Sequence, residues 1–521
     1  MVDSFFARPK KRKAAGKSGG RSLAPRNKRN DVNGTVPGRG NGAVNDDDDD
    51  SIPSGSDDDN EVEDVSMEDV EDDSESDEET VADKRRRLAK QYLENLREEE
   101  QYGDDFFDAA DLDRDIIARR LKEDVAEEEG KIYRYIGDKL NLQRLQDSDR
   151  RVRIQKSQFY PLTSVATKFP YAFTTSKDGH VVKWDVSSLD KAKRLKIAKR
   201  VRGTAVDAPG HWDEILCIAV SPDGKYVVTG GRDKRIVVWS AENLAFVKAF
   251  DMRDRKGVVL GLTFRRNTNE LYAACADLKV RTFNLDQLAQ VETLFGHQDQ
   301  VADISALSQE RCVTVGSRDR TAIIWKISEE SRLTFRGGDS KEKADKESTW
   351  EGSIDCCSMI DNQLFVTGSD NGNISLWSTQ KKKPLYVHRL GHGKEDALTP
   401  EQFTADTANL DSVDQDIPPP QPRGVTSIYA IPYSDVFFTG SWSGDIRIWQ
   451  IDQDNRKFHL LGSVPGIDGV VNRISVVETG ARGKETFGLI AAVSKELRLG
   501  RWLKLKGAKN GILTAAVETK N

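Results

Sequence analysis

The first side chains in this sequence that could take part in catalysis are a histidine and an aspartate within one copy of a repeated segment. His211 opens the stretch 210–240, GHWDEILCIAVSPDGKYVVTGGRDKRIVVWS, and Asp233 lies in its second turn. A His–Asp pair beside a nucleophile is the core of a hydrolytic triad. Buried His and Asp side chains are also costly unless they hydrogen-bond to a partner. We favour the structural interpretation, in which the pair pins the segment, and predict no catalytic dyad.

The elements that position this pair are short strands. Apolar and polar residues alternate between Ile215 and Val220, the turn Ser221-Pro222-Asp223-Gly224 follows, and two further strands end at Trp239. Such alternation bounded by turn residues is typical of antiparallel β-strands. A unit with GH near its start and Trp near its end, recurring with a period in the forties, is typical of β-propeller blades.

Copies of the unit are found from the aromatic residue expected to end each third strand. These aromatics are Trp184, Trp239, Phe283, Trp325, Trp377, Trp449 and Trp502, and the turn positions six residues earlier are Asp178, Asp233, Asp277, Asp319, Asn371, Ser443 and Glu496. The chain resembles the WD-repeat family, in which a histidine, a hydroxyl residue, the turn aspartate and the tryptophan form a hydrogen-bonded chain. That resemblance implies such a network for His211, Thr229, Asp233 and Trp239. The fourth repeat has Val315 at the hydroxyl position, so we expect its network to be incomplete, and the last three lack the aspartate.

The predicted fold class is therefore all-β: a seven-bladed WD-repeat β-propeller with a disordered basic and acidic N-terminal tail and a helical N-terminal extension. We expect a tail over 1–80, the extension and a linker over 81–156, the propeller over 157–505 with an acidic loop at 393–422, and a C-terminal tail over 506–521. Two segments, 83–100 and 111–125, have helical amphipathic periodicity and should dock on the propeller or on a partner.

Charge is distributed unevenly along the 521 residues, whose net charge is −7. Residues 1–40 carry +9, residues 46–79 carry −20, and the chain after residue 156 carries +5. The run Lys10, Lys11, Arg12 and Lys13 indicates a nuclear localisation signal, the alternative being a solvated basic tail. The acidic tract lacks core-forming residues and should be disordered, acting either as a spacer or as a site for basic partners. No apolar run is long enough to span a membrane, and the five cysteines form no metal-binding spacing.

Function is expected on the face that carries the turns before the third strands. The residues just before the turn positions are Lys177, Arg232, Ala276, Arg318, Asp370, Trp442 and Lys495, of which four are basic. Arg498 and Arg501 follow in the last repeat, and Arg473 and Arg447 lie on nearby strands. Arginines beside an aromatic residue match recognition of phosphates and unstacked bases. The candidate RNA-binding set is thus Lys495, Arg498, Arg501, Arg473, Arg447, Trp442, Arg232 and Lys177. No catalytic motif, metal site or cofactor is predicted.

Three features together resemble a narrower family, the WD-repeat proteins of the U3 small nucleolar ribonucleoprotein. They are the basic start with PKKRK before an acidic tract, RLAKQYLENLR at 87–97, and KELRLGRW at 495–502. The resemblance implies a non-enzymatic protein of the nucleus and nucleolus. It would bind the box B/C region of U3 snoRNA beside the small kink-turn-binding protein, with other small-subunit processome proteins as partners and with no membrane or small-molecule substrate. Within that resemblance the RNA-binding role falls on Lys495, Arg498 and Arg501. The alternative is a nuclear protein–protein scaffold propeller, of the histone-binding or ubiquitin-ligase adaptor type, without RNA contact.

Overall fold

The computed structural model describes residues 126, 132–142, 153–156, 160–189, 191–201, 209–252, 257–337, 351–397, 418–480 and 485–520. The chain divides into two units, Met1–Thr80 and Val81–Asn521, and every described residue lies in the second. The expectations for the localisation run, the acidic tract and the two amphipathic segments therefore fall outside the described residues.

The described residues form seven four-stranded antiparallel sheets, which are the blades of a propeller. Blade one contains β2 (Leu162–Lys168), β3 (Tyr171–Ser176), β4 (Val181–Asp185) and β5 (Lys193–Ala198). Blade two contains β6 (Ile215–Val220), β7 (Tyr226–Gly231), β8 (Arg235–Ser240) and β9 (Phe246–Asp251). Blade three contains β10 (Val259–Phe264), β11 (Glu270–Cys275), β12 (Lys279–Asn284) and β13 (Ala289–Phe295). Blade four contains β14 (Val301–Ala306), β15 (Arg311–Gly316), β16 (Thr321–Lys326) and β17 (Ser331–Arg336). Blade five contains β18 (Ile354–Met359), β19 (Leu364–Ser369), β20 (Ile374–Ser378) and β21 (Tyr386–His388). Blade six contains β22 (Ser427–Ala430), β23 (Val436–Gly440), β24 (Asp445–Ile451) and β25 (Phe458–Pro465).

The seventh blade is assembled from both ends of the propeller sequence. Its strands are β26 (Val470–Thr479), β27 (Thr486–Ser494), β28 (Gly511–Glu518) and β1 (Arg153–Lys156), in the order β1-β28-β27-β26. Strand β1 lies antiparallel to β28, with Arg153 opposite Thr514. The expected propeller boundaries at residues 157 and 505, and the C-terminal tail over 506–521, are therefore wrong, because both 153–156 and 511–518 are strands of this sheet.

The structure of blade seven also shows that Trp502 does not end a third strand, contrary to the prediction from the sequence. Its third strand is β28, and Trp502 lies before it in the loop between β27 and β28. The fixed spacing from turn to tryptophan failed because this loop has sixteen residues, 495–510, whereas Arg232–Lys234 alone separate β7 from β8 in blade two. The apolar run that follows the loop, ILTAAV, is the true strand signal.

Alternation along the strands buries their side chains between neighbouring blades. Phe173 and Val181 of blade one, for instance, pack with Ile215, Val227 and Trp239 of blade two in one apolar cluster. The first strand of each blade lies innermost and lines the central channel, which holds a cavity of about 720 Å³.

Buried polar networks pin individual blades. In blade two, His211 Nδ1 lies 2.8 Å from Asp233 Oδ2, His211 Nε2 lies 2.7 Å from Thr229 Oγ1, and Trp239 Nε1 donates to the same hydroxyl at 2.8 Å. All four side chains are buried. A buried polar network of this kind is stabilising only while every member has a partner, which gives the histidine and the aspartate a structural role.

Blade four contains the complete network, so the expectation that it lacks the hydroxyl was wrong. Thr314 accepts from Trp325 Nε1 at 2.7 Å and lies 2.7 Å from His297 Nε2, while His297 Nδ1 lies 3.1 Å from Asp319. One more residue separates Thr314 from Asp319 than separates Thr229 from Asp233. The inward hydroxyl is therefore Thr314, and Val315 is its neighbour on the opposite side of the strand.

Blade six forms an altered version of the network around His392. This histidine lies 2.8 Å from Ser443 Oγ and 2.9 Å from Thr439 Oγ1, and Trp449 Nε1 donates to Thr439 at 2.8 Å. Ser443 stands at the aspartate position and hydrogen-bonds in turn to Asp445. The predicted acidic loop at 393–422 begins directly after His392. Its residues 398–417 lie outside the described ranges.

The segment 132–142, expected to be only a linker, packs on blades six and seven. Buried Asp435 accepts hydrogen bonds from the backbone N–H groups of Ile136 (2.7 Å) and Gly137 (3.1 Å) and from Gln450 Nε2 (2.9 Å). Ile136 and Leu140 are buried in the core shared by these two blades. The short 3-10 helix Gly137–Lys139 lies in this segment. The segment is therefore part of the folded propeller.

Candidate nucleic-acid interface

We call the side of the propeller that carries the turns between second and third strands the turn face, and residues 495–510 the mouth loop. The mouth loop crosses the turn face at the channel. Lys177 of blade one donates to the Gly500 carbonyl at 3.0 Å, and Arg501 forms an ion pair with Glu214, next to blade two. Arg498 donates to the carbonyls of Leu260 and Ala302, on the first strands of blades three and four. The last blade therefore reaches four others through this loop.

Arg498 anchors the loop inside the channel. Its guanidinium donates to the Leu260 carbonyl at 2.5 Å and to the Ala302 carbonyl at 3.1 Å. Burial lowers the pKa of Arg498, and the nearby Asp303 charge opposes that shift. Its guanidinium is engaged within the protein, which argues against the RNA-binding role predicted for Arg498.

Arg473 is also directed into the channel. Its Nη1 lies 2.8 Å from each carboxylate oxygen of Asp303, whose side chain is 1% exposed. Burial favours a lower pKa for Arg473, but the attraction of Asp303 outweighs it and the pKa is raised. Arg473 joins blade seven to blade four and is not a residue of the exposed face.

Lys177 and Arg447 are held in local contacts. The Lys177 ammonium lies 3.5 Å from Glu496, and burial lowers the pKa of this lysine. Arg447 donates to Asp445 at 3.0 Å and to the Gly391 carbonyl at 2.6 Å. Both side chains support loops of the turn face, since their donors already have partners.

Among the predicted RNA-binding residues, those with exposed charges lie on and beside the mouth loop, where Lys504 adds a further cation. The side chains of Arg501 and Lys504 are each 71% exposed, and that of Arg232 is 46% exposed. Arg232 and Arg501 share one carboxylate, Glu214, at 3.2 Å from Arg232. Lys495 is partly exposed at the start of the loop. This group is a positive surface with only part of its charge neutralised.

Two tryptophans meet at the edge of this surface. Trp442 is partly buried, and its Nε1 donates to Glu395 at 3.0 Å. Its ring meets that of Trp502 edge to face, at 6.4 Å between centroids and 89° between planes. The exposed aromatic surface at this place therefore belongs to Trp502, which is 76% exposed.

The described residues contain no group of three or more His, Cys, Asp or Glu side chains arranged to hold a metal ion. All five cysteines are buried and none forms a disulfide bond, and burial raises the pKa of the Cys217, Cys312, Cys356 and Cys357 thiols. Among the helices within the described ranges, none has the length and apolar character of a membrane-crossing segment.

Comparison with known proteins agrees with this architecture. The family model of the WD domain, G-beta repeat, matches residues 205–240, 288–326, 346–378 and 420–450. Ribosomal RNA-processing protein 9 of Saccharomyces cerevisiae is 45% identical to this chain, over 88% of the chain and 94% of the yeast protein. The chain belongs to the ribosomal RNA-processing protein 9 family.

Other members of the ribosomal RNA-processing protein 9 family extend the similarity to animals and to solved structures. The human protein U3 small nucleolar RNA-interacting protein 2 is 33% identical over 84% of this chain and 82% of its own length. The structure of U3-55K matches with a TM-score of 0.57 and 34% identity, covering 71% of this chain and 98% of that one. The crystal structure of RRP9 WD40 repeats matches with a TM-score of 0.58 and 33% identity, over 71% and 97%.

For this family member, the structure divides the sequence-predicted residues into two groups. Lys495, Arg501 and Arg232 lie on the turn face, and Trp442 lies partly buried beside them. The other four, Lys177, Arg447, Arg473 and Arg498, have donors engaged by the protein itself.

Sequence reasoning missed Trp502 as a surface group and left Lys504 out of the candidate RNA-binding set. Trp502 was assigned to a strand by spacing alone, although Gly500 and Gly507 around it indicate a loop. That glycine signal was available in the sequence and would have placed both side chains on the surface.

Proposed function

We propose that this protein is a non-enzymatic component of the U3 small nucleolar ribonucleoprotein and binds the box B/C kink-turn region of U3 snoRNA. It does so together with the small kink-turn-binding protein, in the small-subunit processome, during processing of pre-18S ribosomal RNA. Its place of action is the nucleolus, within the nucleus. The observation that carries the proposal is the exposed basic surface on the mouth loop, in a chain whose human relative is named for its interaction with U3 small nucleolar RNA.

The geometry supports binding to a phosphate backbone. Arg501, Lys504, Arg232 and Lys495 place four cations on one face, and Glu214 and Glu496 neutralise part of their charge. Release of counterions from four phosphate contacts would give a salt slope of about −3. The small kink-turn-binding protein would hold the RNA in its bent form, and the basic surface would contact the phosphates of that bent RNA.

An electrophoretic mobility shift assay with box B/C RNA tests the proposal, with and without the small kink-turn-binding protein. We expect retention at low salt, stronger when the small protein is present, and a steep loss as salt rises. The variant Arg501→Gln/Lys504→Gln should weaken retention about tenfold or more. Lys457→Gln/Lys382→Gln, which alters two exposed lysines away from the mouth loop, is the matched control.

The second candidate, a nuclear protein–protein scaffold without RNA contact, makes the opposite prediction. If RNA is not retained at low salt with or without the small protein, the RNA-binding proposal fails. The scaffold function would then account for the basic surface as a site for an acidic protein.

A further inference from the structure

Binding of phosphates explains the exposed cations of the turn face but does not explain why Trp502 is exposed there. Among the large apolar side chains that the structure describes, it is the most exposed, at 76%. An indole left in water on a folded loop forgoes the stabilisation that burial would provide. Single exposed apolar side chains are common on protein surfaces, but an aromatic ring beside a positively charged surface is typical of base-stacking sites.

The loop around Trp502 is held in place by contacts on both sides. Arg498 is fixed in the channel, Leu505 N–H donates to the Lys495 carbonyl at 3.1 Å, and Glu496 forms a β-bridge with Lys504. A Cβ added to Gly500 would lie 2.6 Å from the pyrrole edge of Trp502, so the glycine lets the ring lie against the loop backbone. The indole is therefore presented by an ordered base.

The neighbours of Trp502 show which partner suits it. Arg501 precedes it and Lys504 follows two positions later, and both side chains are 71% exposed. Lys506 and Lys509 are further cations along the loop, and both are exposed. Leu499 is the one exposed apolar neighbour within the loop, at 40%. A ring flanked by cations suits a nucleotide, whose base stacks while its phosphates are neutralised, better than it suits an apolar protein patch.

We propose that Trp502 is a base-stacking platform for one unpaired nucleotide of the bound RNA, with Arg501 and Lys504 contacting the phosphates that flank it. The inference rests on the proposed RNA-binding function and assigns a role within it. Stacking is tolerant of base identity because every base has an aromatic face, so Trp502 contributes affinity and position and leaves sequence selection to other contacts.

The test uses the full chain and box B/C RNA that carries 2-aminopurine at one unpaired position at a time. Stacking on the indole should quench the fluorescence of one such position, and Trp502→Ala should abolish that quenching. The same variant should weaken binding roughly 5- to 100-fold, as alanine substitution of stacking residues does. Its salt slope should equal that of the wild type, because no phosphate contact is removed. Arg501→Gln should instead reduce the slope by about 1.

Two comparison variants isolate the effect. Phe295→Ala removes an aromatic side chain that is 62% exposed on β13, an outer strand, and should bind RNA as the wild type does. Trp502→Phe keeps an aromatic face and should restore much of the affinity and the quenching. The melting temperatures of Trp502→Ala, Trp502→Phe and Phe295→Ala should match that of the wild type, because neither ring lies in the core.

The outcomes separate the inference from the function on which it rests. Wild-type protein that retains no RNA would overturn the proposed function itself. Stacking alone would be overturned if the wild type binds RNA, the affinity of Trp502→Ala equals that of Phe295→Ala, and the 2-aminopurine fluorescence is the same with Trp502→Ala as with the wild type. Loss of affinity in Trp502→Ala only when the small kink-turn-binding protein is present would show that the indole contacts protein, and would likewise overturn stacking.

Discussion

Arg473 of blade seven and Asp303 of blade four form an ion pair across the channel, with Nη1 at 2.8 Å from both carboxylate oxygens. Asp303 also accepts a hydrogen bond from the Cys357 backbone N–H of blade five at 3.3 Å. Three first strands from separate blades thus meet at one carboxylate. Side chains in the channel, as well as the packing of adjacent sheets, therefore hold the ring together.

Removing Arg473 should destabilise the propeller. Arg473→Met leaves buried Asp303 without its ion-pair partner, although the Arg498 charge stays nearby, and loss of one partner from a buried pair costs about 3 kcal/mol. Arg473→Met/Asp303→Asn should recover part of this, because the residual charge is gone. Urea unfolding of the two single variants and the double variant measures the coupling. Strictly additive effects would show that the pair is not energetically linked.

Asp355 should make stability depend on pH. Burial, with the Asp370 charge adding to it, raises the pKa of Asp355 to about 6, against the opposing hydrogen bond from Ser353. The folded protein then keeps a proton that the unfolded chain releases near the ordinary aspartate pKa of 3.8. Stability from this group is therefore full below about pH 4 and lost as the pH rises to 6, by up to about 3 kcal/mol.

Asp355→Asn should remove that loss. Relative to the wild type, the variant should gain about 2 kcal/mol of stability between pH 4 and pH 7. Asp454→Asn, at an exposed turn, is the control and should follow the wild type. Parallel curves for Asp355→Asn and the wild type across this range would rule out a raised pKa.

The network of blade two predicts a large cost for a small deletion. Asp233→Ala leaves buried His211 without its 2.8 Å partner, and should lower the free energy of unfolding by about 2–4 kcal/mol. Asp454→Ala should have little effect. Thermal melts compare the two, and equal melting temperatures would mean that the network does not pin the blade.

Asp435 predicts a local effect. Asp435→Ala removes the acceptor of the Ile136 and Gly137 N–H groups, so segment 132–142 should detach before the blades unfold. Hydrogen exchange at these two amides should accelerate at least tenfold, with the strands of blades one to four unchanged. Unchanged exchange at Ile136 would show that apolar packing alone holds the segment.

The sequence predicted the repeats well because each depends on local patterns. Alternation, turn residues and the aromatic that ends the third strand recur, and they gave the correct number of seven blades, although the seventh was counted from Trp502, which lies in a loop. The errors arose where loop length varies. In blade four one extra residue before the turn aspartate places the hydroxyl position at Thr314 and not at Val315. In blade seven the sixteen-residue mouth loop places the third strand after Trp502.

The site was harder to predict because it depends on contacts between distant blades. Arg498 and Arg501 are three residues apart in the sequence, yet Arg498 lies in the channel and Arg501 lies 71% exposed on the surface. That difference depends on the carbonyls of Leu260 and Ala302, which no pattern within 495–510 indicates. Charge and composition identify such arginines but do not distinguish the buried ones.

Strand β1 has consequences for how the molecule is made. It is synthesised before blade one, but its partner β28 emerges from the ribosome some 350 residues later. Six sheets can form during translation while the ring stays open, and the earliest strand must wait unpaired for the latest one. Closure of the ring therefore depends on residues 511–518, so a chain truncated after residue 510 would keep six sheets and the hairpin of β26 and β27 but would lack the strand with which β1 pairs.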